Sequence, residues 1–158
     1  MQQQNKLKDD LQSIHVLPHS QYLRKVEFDN LCKYSNFRPQ DDVKSEVNLN
    51  INVEEIETAT PAVVIKLTLN SINKESVFNL QLEYVGKFKI NVEDPEVREQ
   101  VLRVYCAQMI YPYVSQIVSN ITGEGDLTKI RLAPVDFQEM YKAFKAEKKR
   151  DAKILMAI

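Results

Sequence analysis

Polar and apolar positions alternate with period two in four stretches of this chain, and recur with helical spacing in two more. Val26, Phe28, Cys32 and Tyr34 alternate with Lys25, Glu27, Asp29 and Lys33, with Asn30 as a polar interruption, which predicts a strand from about Leu23. A loop, Ser35–Asp42, follows. Val43, Val47, Leu49, Ile51 and Val53 then alternate with Lys44, Glu46, Asn48, Asn50, Asn52 and Glu54, the pattern of a strand with one buried and one wet face. Thr58-Ala59-Thr60-Pro61 breaks it. Val63, Ile65, Leu67 and Leu69 mark a third strand over 62–72. Phe78, Leu80, Leu82, Tyr84, Phe88 and Ile90 mark a fourth over 76–92. Gly86 inside the fourth signals a bulge or a close backbone approach. Four consecutive strands with short connections predict an antiparallel sheet.

Helical spacing takes over at Asp94-Pro95-Glu96, where Asp caps, Pro occupies the first helical position and an acid sits in the first turn. The helix is expected to reach about Ile121 and to stop at Thr122-Gly123. Val97, Val101, Val104, Tyr105 and Gln108 mark its inner stripe, continued by Tyr113, Ile117 and Ile121. Pro112 removes one backbone hydrogen bond, so a kink is expected near Gln108–Tyr111. A second helix opens at Asp136 with Glu139 three residues on, and its apolar residues Phe137, Met140, Tyr141 and Phe144 share one face. The fold class is therefore α+β: a four-stranded antiparallel sheet with a long kinked helix and a second C-terminal helix packed on one face. Three parts follow in order. Residues 1–22 are a polar leader, holding either a short helix over 6–14 or no regular structure. Residues 23–145 are the folded domain. Residues 146–158 are a tail, basic at Lys148-Lys149-Arg150 and apolar at Ile154-Leu155-Met156.

This pattern leaves apolar residues over. Ala62, Val64, Ile72, Val77 and Val85 fall off the main strand stripes, and Met109, Ile110, Tyr111, Val114 and Val118 lie on further sides of the long helix. Two helices on one sheet face cannot hide all of them. Contiguous apolar surface beyond a few hundred Å2 marks an interface. Homo-oligomerisation and a groove for apolar peptide segments are the expected uses.

The chemistry of an enzyme is missing. His15 and His19, the two histidines, have Pro18 between them and no third ligand nearby, so no metal site is expected. Cys106 lies within a helix, away from any N-terminus that would activate a thiolate. Asp41-Asp42 and Glu54-Glu55 fall in a loop and at a strand end, where solvation is the default. Three glycines leave little for phosphate-cradling loops. No catalytic residue, metal or cofactor is expected. Lys and Arg total 21 against 22 for Asp and Glu, which gives no electrostatic reason to bind nucleic acid. Cys32 and Cys106 read as reduced thiols. No apolar run reaches the roughly 20 residues that span a bilayer, and no signal segment is evident, so a cytoplasmic protein without membrane insertion is expected.

Tyr105-Cys106, the Tyr111-Pro112-Tyr113 step, Leu132-Ala133-Pro134-Val135-Asp136-Phe137 and Glu46-Val47-Asn48-Leu49 together resemble the SecB family of export chaperones. The resemblance covers about 23–145. It implies a tetramer built as a dimer of dimers, with helices sandwiched between sheets. It implies unfolded, export-bound polypeptides as clients, held without ATP in apolar grooves. Carried over, the client-binding residues are Phe37 and Val43 around the crossing loop, Val47 on the second strand, and Tyr111 and Tyr113 on the long helix. Members that hand clients to the SecA motor use acids on the exposed sheet face. The positions carried over for these are Asn30, Tyr34 and Gln81, none acidic, so the resemblance does not extend to SecA. A dedicated chaperone for the antitoxin of a toxin–antitoxin system is one alternative. A small-ligand or enzymatic domain on the same frame is another, which would need a closed pocket with convergent polar groups.

Overall fold

The computed structural model describes residues 14–31, 45–55, 57–71, 78–125 and 129–156, with side chains through 150. Its strands are β1 (Val16–Asn30), β2 (Ser45–Glu54), β3 (Ala62–Ser71) and β4 (Phe78–Ile90), all antiparallel, in the order β1-β4-β3-β2. The expected β2, β3 and β4 are found within two residues. β1 is not: it starts at Val16, inside the stretch read as a leader. Register shifts between Pro18 and Ser20 and between Leu23 and Lys25 leave His19 and Arg24 as extra residues. Each extra residue reverses which parity faces the core, so the period-two signal is lost over this half of the strand. Pro18, which lacks an N–H, is tolerated because β1 is an edge strand. The expected helix over 6–14 lies outside the described residues except at Ile14, which has no regular structure.

Register sorts the two sheet faces. Val63, Ile65, Leu67 and Leu69 of β3 join Phe78, Leu80, Leu82, Tyr84 and Phe88 of β4 in one buried cluster with the helices. Leu49, Ile51 and Val53 of β2 and Phe28 of β1 pack at its margin. Burying one such side chain contributes roughly 1.5–3 kcal/mol, and the paired β3 and β4 rows hold the sheet to the helical layer.

The helical layer begins with α1 (Pro95–Gln100), continues as a π-helical segment (Val101–Cys106), and runs on as α2 (Ala107–Glu124). Asp94 Oδ1 accepts from the N–H groups of Glu96 (2.9 Å) and Val97 (3.2 Å), and Pro95 opens the first turn, as the sequence indicated. The departure from α geometry precedes Pro112 and does not centre on Gln108–Tyr111. A π turn holds one residue more than an α turn. That extra residue turns the inner face. Cys106, Ala107, Ile110, Val114 and Val118 are buried, whereas Tyr105, Gln108 and Tyr113, read as inner stripe, are exposed. Gly86 is the close approach that its position suggested. A Cβ there would stand 2.8 Å from Ile110 Cγ2 and 2.8 Å from the Phe88 ring.

After α2, Thr122 ties down the link: its hydroxyl donates to Val118 O (2.9 Å) and accepts from Ile130 N–H (3.0 Å). The last helix, α3 (Phe137–Met156), is capped by Asp136 Oδ1, which accepts from Glu139 N–H (3.1 Å). Phe137 and Tyr141 are buried, and Met140 and Phe144 half-buried, on the expected face. The stretch 146–156, read as a tail, belongs to this helix.

The outer face is not the apolar surplus that composition suggested. Ala62, Val64 and Val85 form a small buried cluster there. Tyr22 is the register partner of Val85. Arg24 runs across this face, with Nε on Glu83 (3.0 Å) of β4 and Nη1 on Glu54 (3.0 Å) of β2. Ile72 and Val77 lie outside the described residues.

Candidate binding surface

Five residues were expected to line a groove. Phe37 and Val43 lie outside the described residues. Val47 is exposed on the helix side of β2, opposite Leu69. Tyr111 and Tyr113 stand on the long helix but in different settings, because residues two apart on an α-helix diverge by about 200°.

Tyr111 faces the link. Its hydroxyl donates to Ala133 O at 2.6 Å, and its ring meets Phe137 edge-on at 5.5 Å. Burial raises its pKa above the ordinary phenol value. The Leu-Ala-Pro-Val run therefore reads the helix through the carbonyl of its own Ala133. Beside this contact a cleft of about 460 Å3 opens between Val104, Tyr105 and Gln108 on one side and Pro134, Val135 and Asp136 on the other. Tyr105 stands exposed at its edge.

Tyr113 faces β1. It stacks on Tyr84 with ring centroids 6.4 Å apart and planes 4° apart. Burial, and then the neighbouring Tyr113, raise the Tyr84 pKa. Leu23 is the register partner of Tyr84 and Val26 of Leu82, so both stand on the helix side of β1. No described helix covers them. Leu23 and Val26 on the helix side of β1 and Met109 and Tyr113 on the long helix are each 40–46% exposed. The sequence reading missed Leu23, Val26 and Tyr84 in this role. A corrected parity across the bulge at Arg24 would have found Leu23, and Val26 already shared the face of Phe28.

A third region sits at the opposite edge. Arg103, from the π segment, donates to the β2 edge carbonyl of Ile51 at 2.6 Å and to Glu99 at 3.2 Å. Its guanidinium lies 3.7 Å from the centre of the Phe144 ring. Next to it a cleft of about 220 Å3 is lined by Asn50, Ile51, Met140, Tyr141 and Phe144. Arg98 likewise donates to Thr58 O at 2.6 Å and pairs with Glu55. Two arginines thus fasten the helical layer to the β2 side, while nothing comparable fastens it to β1 among the described residues except Asn30, whose Nδ2 donates to Gly125 O at 2.7 Å.

That bond corrects the reading of the exposed face. Asn30 stands on the helix side and not on the outer face, and Tyr34 lies outside the described residues. Gln81 is on the outer face, and its register partner there is Glu27, with Asp29 opposite Asn79 in the next row. The outer face does carry acids. Cys106 is fully buried and its thiol is pushed up to about 12, which leaves it unreactive. No helix of the described residues is long and apolar enough to cross a membrane.

Residues 9–148 match the family described as preprotein translocase subunit SecB. A protein-export protein SecB of Dinoroseobacter shibae is 32% identical over 128 residues, covering 78% of this chain and 74% of that protein. The protein-export protein SecB of Mesorhizobium japonicum is 28% identical over 145 residues, covering 90% of this chain and 85% of that protein. Among solved structures, a SecB-like chaperone of Mycobacterium tuberculosis, in complex with a peptide from the HigA1 antitoxin, aligns with a TM-score of 0.68 at 16% identity. It covers 83% of this chain and 98% of that one.

Proposed function

The chain belongs to the SecB family, and on that premise we propose that it is an ATP-independent holdase for unfolded, export-bound polypeptides. The supporting observation is the exposed aromatic and aliphatic surface on both flanks of the long helix. The two flanks take different roles. The Tyr105 side, with the cleft against Pro134 and Val135, receives client segments together with Val47, Phe37 and Val43. Its Tyr111 orders the wall of that cleft. Aromatic walls give contact area at low side-chain entropy cost and do not demand one client sequence. The Tyr113 side, with Leu23, Val26 and Met109, is the face on which copies of the chain associate into the family's dimer of dimers. Glu27 and Asp29 offer the outer face the acids that delivery to the SecA motor uses in the family.

The test is suppression of aggregation of a chemically denatured precursor, without nucleotide, at near-stoichiometric chaperone. Suppression is expected, and none at several-fold excess sinks the reading. Export precursors are preferred to antitoxins as clients because the relatives named above are export proteins, while the structure seen with an antitoxin peptide shares only the fold. An antitoxin peptide that is protected while precursors are not would reverse that preference.

A further inference from the structure

We propose that two copies of the chain pack outer face to outer face, strands reversed, through a self-complementary charge pattern. Register lays that face out in rows across the sheet. At one end Leu17 pairs with Lys89, Ser20 with Lys87 and Tyr22 with Val85. Leu17 is 62% exposed and Tyr22 43%, and neither Lys87 nor Lys89 makes an ion pair among the described residues. Arg24 and Glu54 at this end answer each other, and Glu57 accepts from the Thr60 hydroxyl at 2.9 Å.

The other end is acidic. Glu27, Asp29 and Glu46 stand exposed there, with the uncharged Gln81, Asn79 and Asn70 as register partners. Lys25 meets Glu27 loosely at 3.5 Å, whereas Asp29 and Glu46 have no cation among the described residues. The row between the two ends alternates in sign: Lys25, Glu83, Lys66.

A face that is basic at one end and acidic at the other fits its own copy turned end for end. A two-fold axis across the strands, between the Val85 and Glu83 rows, sets Lys87 over the Glu27 row and Lys89 over the row that holds Asp29 and Glu46. It also sets the Tyr22 row over the Lys25 row, ring against ammonium. A nucleic acid or an anionic membrane would be repelled by Asp29 and Glu46, and an acidic peptide would use one end and leave the other unanswered. A second copy answers both. Four strands about 4.8 Å apart and roughly ten residues long offer about 600 Å2 per copy. That is the low end for a stable pair, so the contact is weak, and its water-exposed charges make it sensitive to salt. Pairing covers Glu27 and Asp29, the acids offered above to the SecA motor, so a paired chaperone is withheld from delivery. That consequence rests on the delivery reading, and the pairing itself does not.

Sedimentation velocity on the full-length protein tests the pairing. In low salt the mass should rise with concentration, up to about 100 µM chain, beyond the assembly closed through the Tyr113 flank, and the rise should vanish in about 0.5 M salt. Joint Lys87→Glu and Lys89→Glu makes the basic end acidic, and joint Asp29→Lys and Glu46→Lys makes the acidic end basic. Each pair should weaken the contact at least about a hundredfold. Mixing the two variants should restore it, because unlike charges then meet at both ends. Joint Lys142→Glu and Lys149→Glu, with the same net charge as the first variant, should leave it intact. All of these variants should still suppress aggregation, which keeps the proposal separate from the chaperone reading. No concentration-dependent step in low salt, a step that survives both reversals, or variants that stay apart when mixed each overturns it. So does poly-glutamate binding that needs Lys87 and Lys89 in a protein that shows no such step.

Discussion

Tyr111 and Tyr113 stand two residues apart in one helix and live in opposite circumstances. Tyr111 is closed in: its hydroxyl is bound by Ala133 O and its ring is held by Phe137. Tyr113 is open: it stacks on Tyr84, the register partner of Leu23, and leaves nearly half its surface exposed. The difference follows from how each flank is fastened. Arg98 and Arg103 pin the helical layer to β2, while Leu23 and Val26 on the inner face of β1 stay exposed among the described residues. A bound flank makes a shaped wall, and an unbound flank makes a surface that a second copy can complete.

The comparison breaks most visibly at Tyr113. Tyr113→Asp puts a carboxylate into the face assigned to self-association. Desolvating an unpaired charge there costs several kcal/mol, so the dissociation constant of the assembly should rise at least about a hundredfold. The isolated fold should lose less than about 1 kcal/mol, because the ring is nearly half exposed. Light scattering on a size-exclusion column reads the first effect, and urea denaturation the second. An assembly that stays intact while client binding falls would move Tyr113 to the client side and merge the two flanks into one.

Much of this architecture was legible in the chain. β2, β3 and β4 alternate cleanly because each buries one face, and the Asp94 and Asp136 caps sit where their spacing put them. Three things were not legible, each for a physical reason. The first half of β1 hides behind two bulges and Pro18, since an extra residue reverses the alternation. The inner face of the long helix turned at Val101–Cys106, because a π turn has no apolar period of its own to announce it. The outer cluster of Ala62, Val64 and Val85 is flanked by an arginine 38 or more residues away in sequence, a pairing only the folded register creates. As for the surface carried over from the family, Tyr111 and Tyr113 stand on the long helix about 200° apart. That divergence is what separates their surroundings, and Asn30 shares the parity of Phe28 and so belonged with the core side.

A smaller change sharpens the Tyr111 side. Tyr111→Phe keeps the ring against Phe137 and removes only the donor to Ala133 O. A neutral hydrogen bond of this kind contributes about 1 kcal/mol. That loss should appear in urea denaturation with assembly unchanged. Because the link is then less firmly placed, client affinity should fall a fewfold while aggregation suppression persists at higher chaperone ratios. If Tyr111→Phe loosened the assembly as Tyr113→Asp is expected to, the division between the flanks would fail.

The smallest expected effect concerns how β1 is kept in place behind its open face. Arg24 binds Glu83 and Glu54 across the outer face, and its hydrogen bond holds the Glu83 carboxyl below its ordinary value of 4.5. A carboxyl depressed on folding contributes stability above its unfolded pKa and loses it as pH falls through the folded value. The strap should therefore act fully near neutrality and fade below about pH 4.5. Exposure to solvent keeps its contribution small. Amide exchange along β1 resolves it better than global unfolding: protection of Leu23 and Val26 should drop with acid earlier than that of β3. Arg24→Gln should remove the acid dependence and leave a uniformly lower protection in β1. Equal acid dependence in the variant and the parent would mean that the strap does not hold β1. The open flank would then owe its order to stacking on Tyr84 and to pairing with β4 alone.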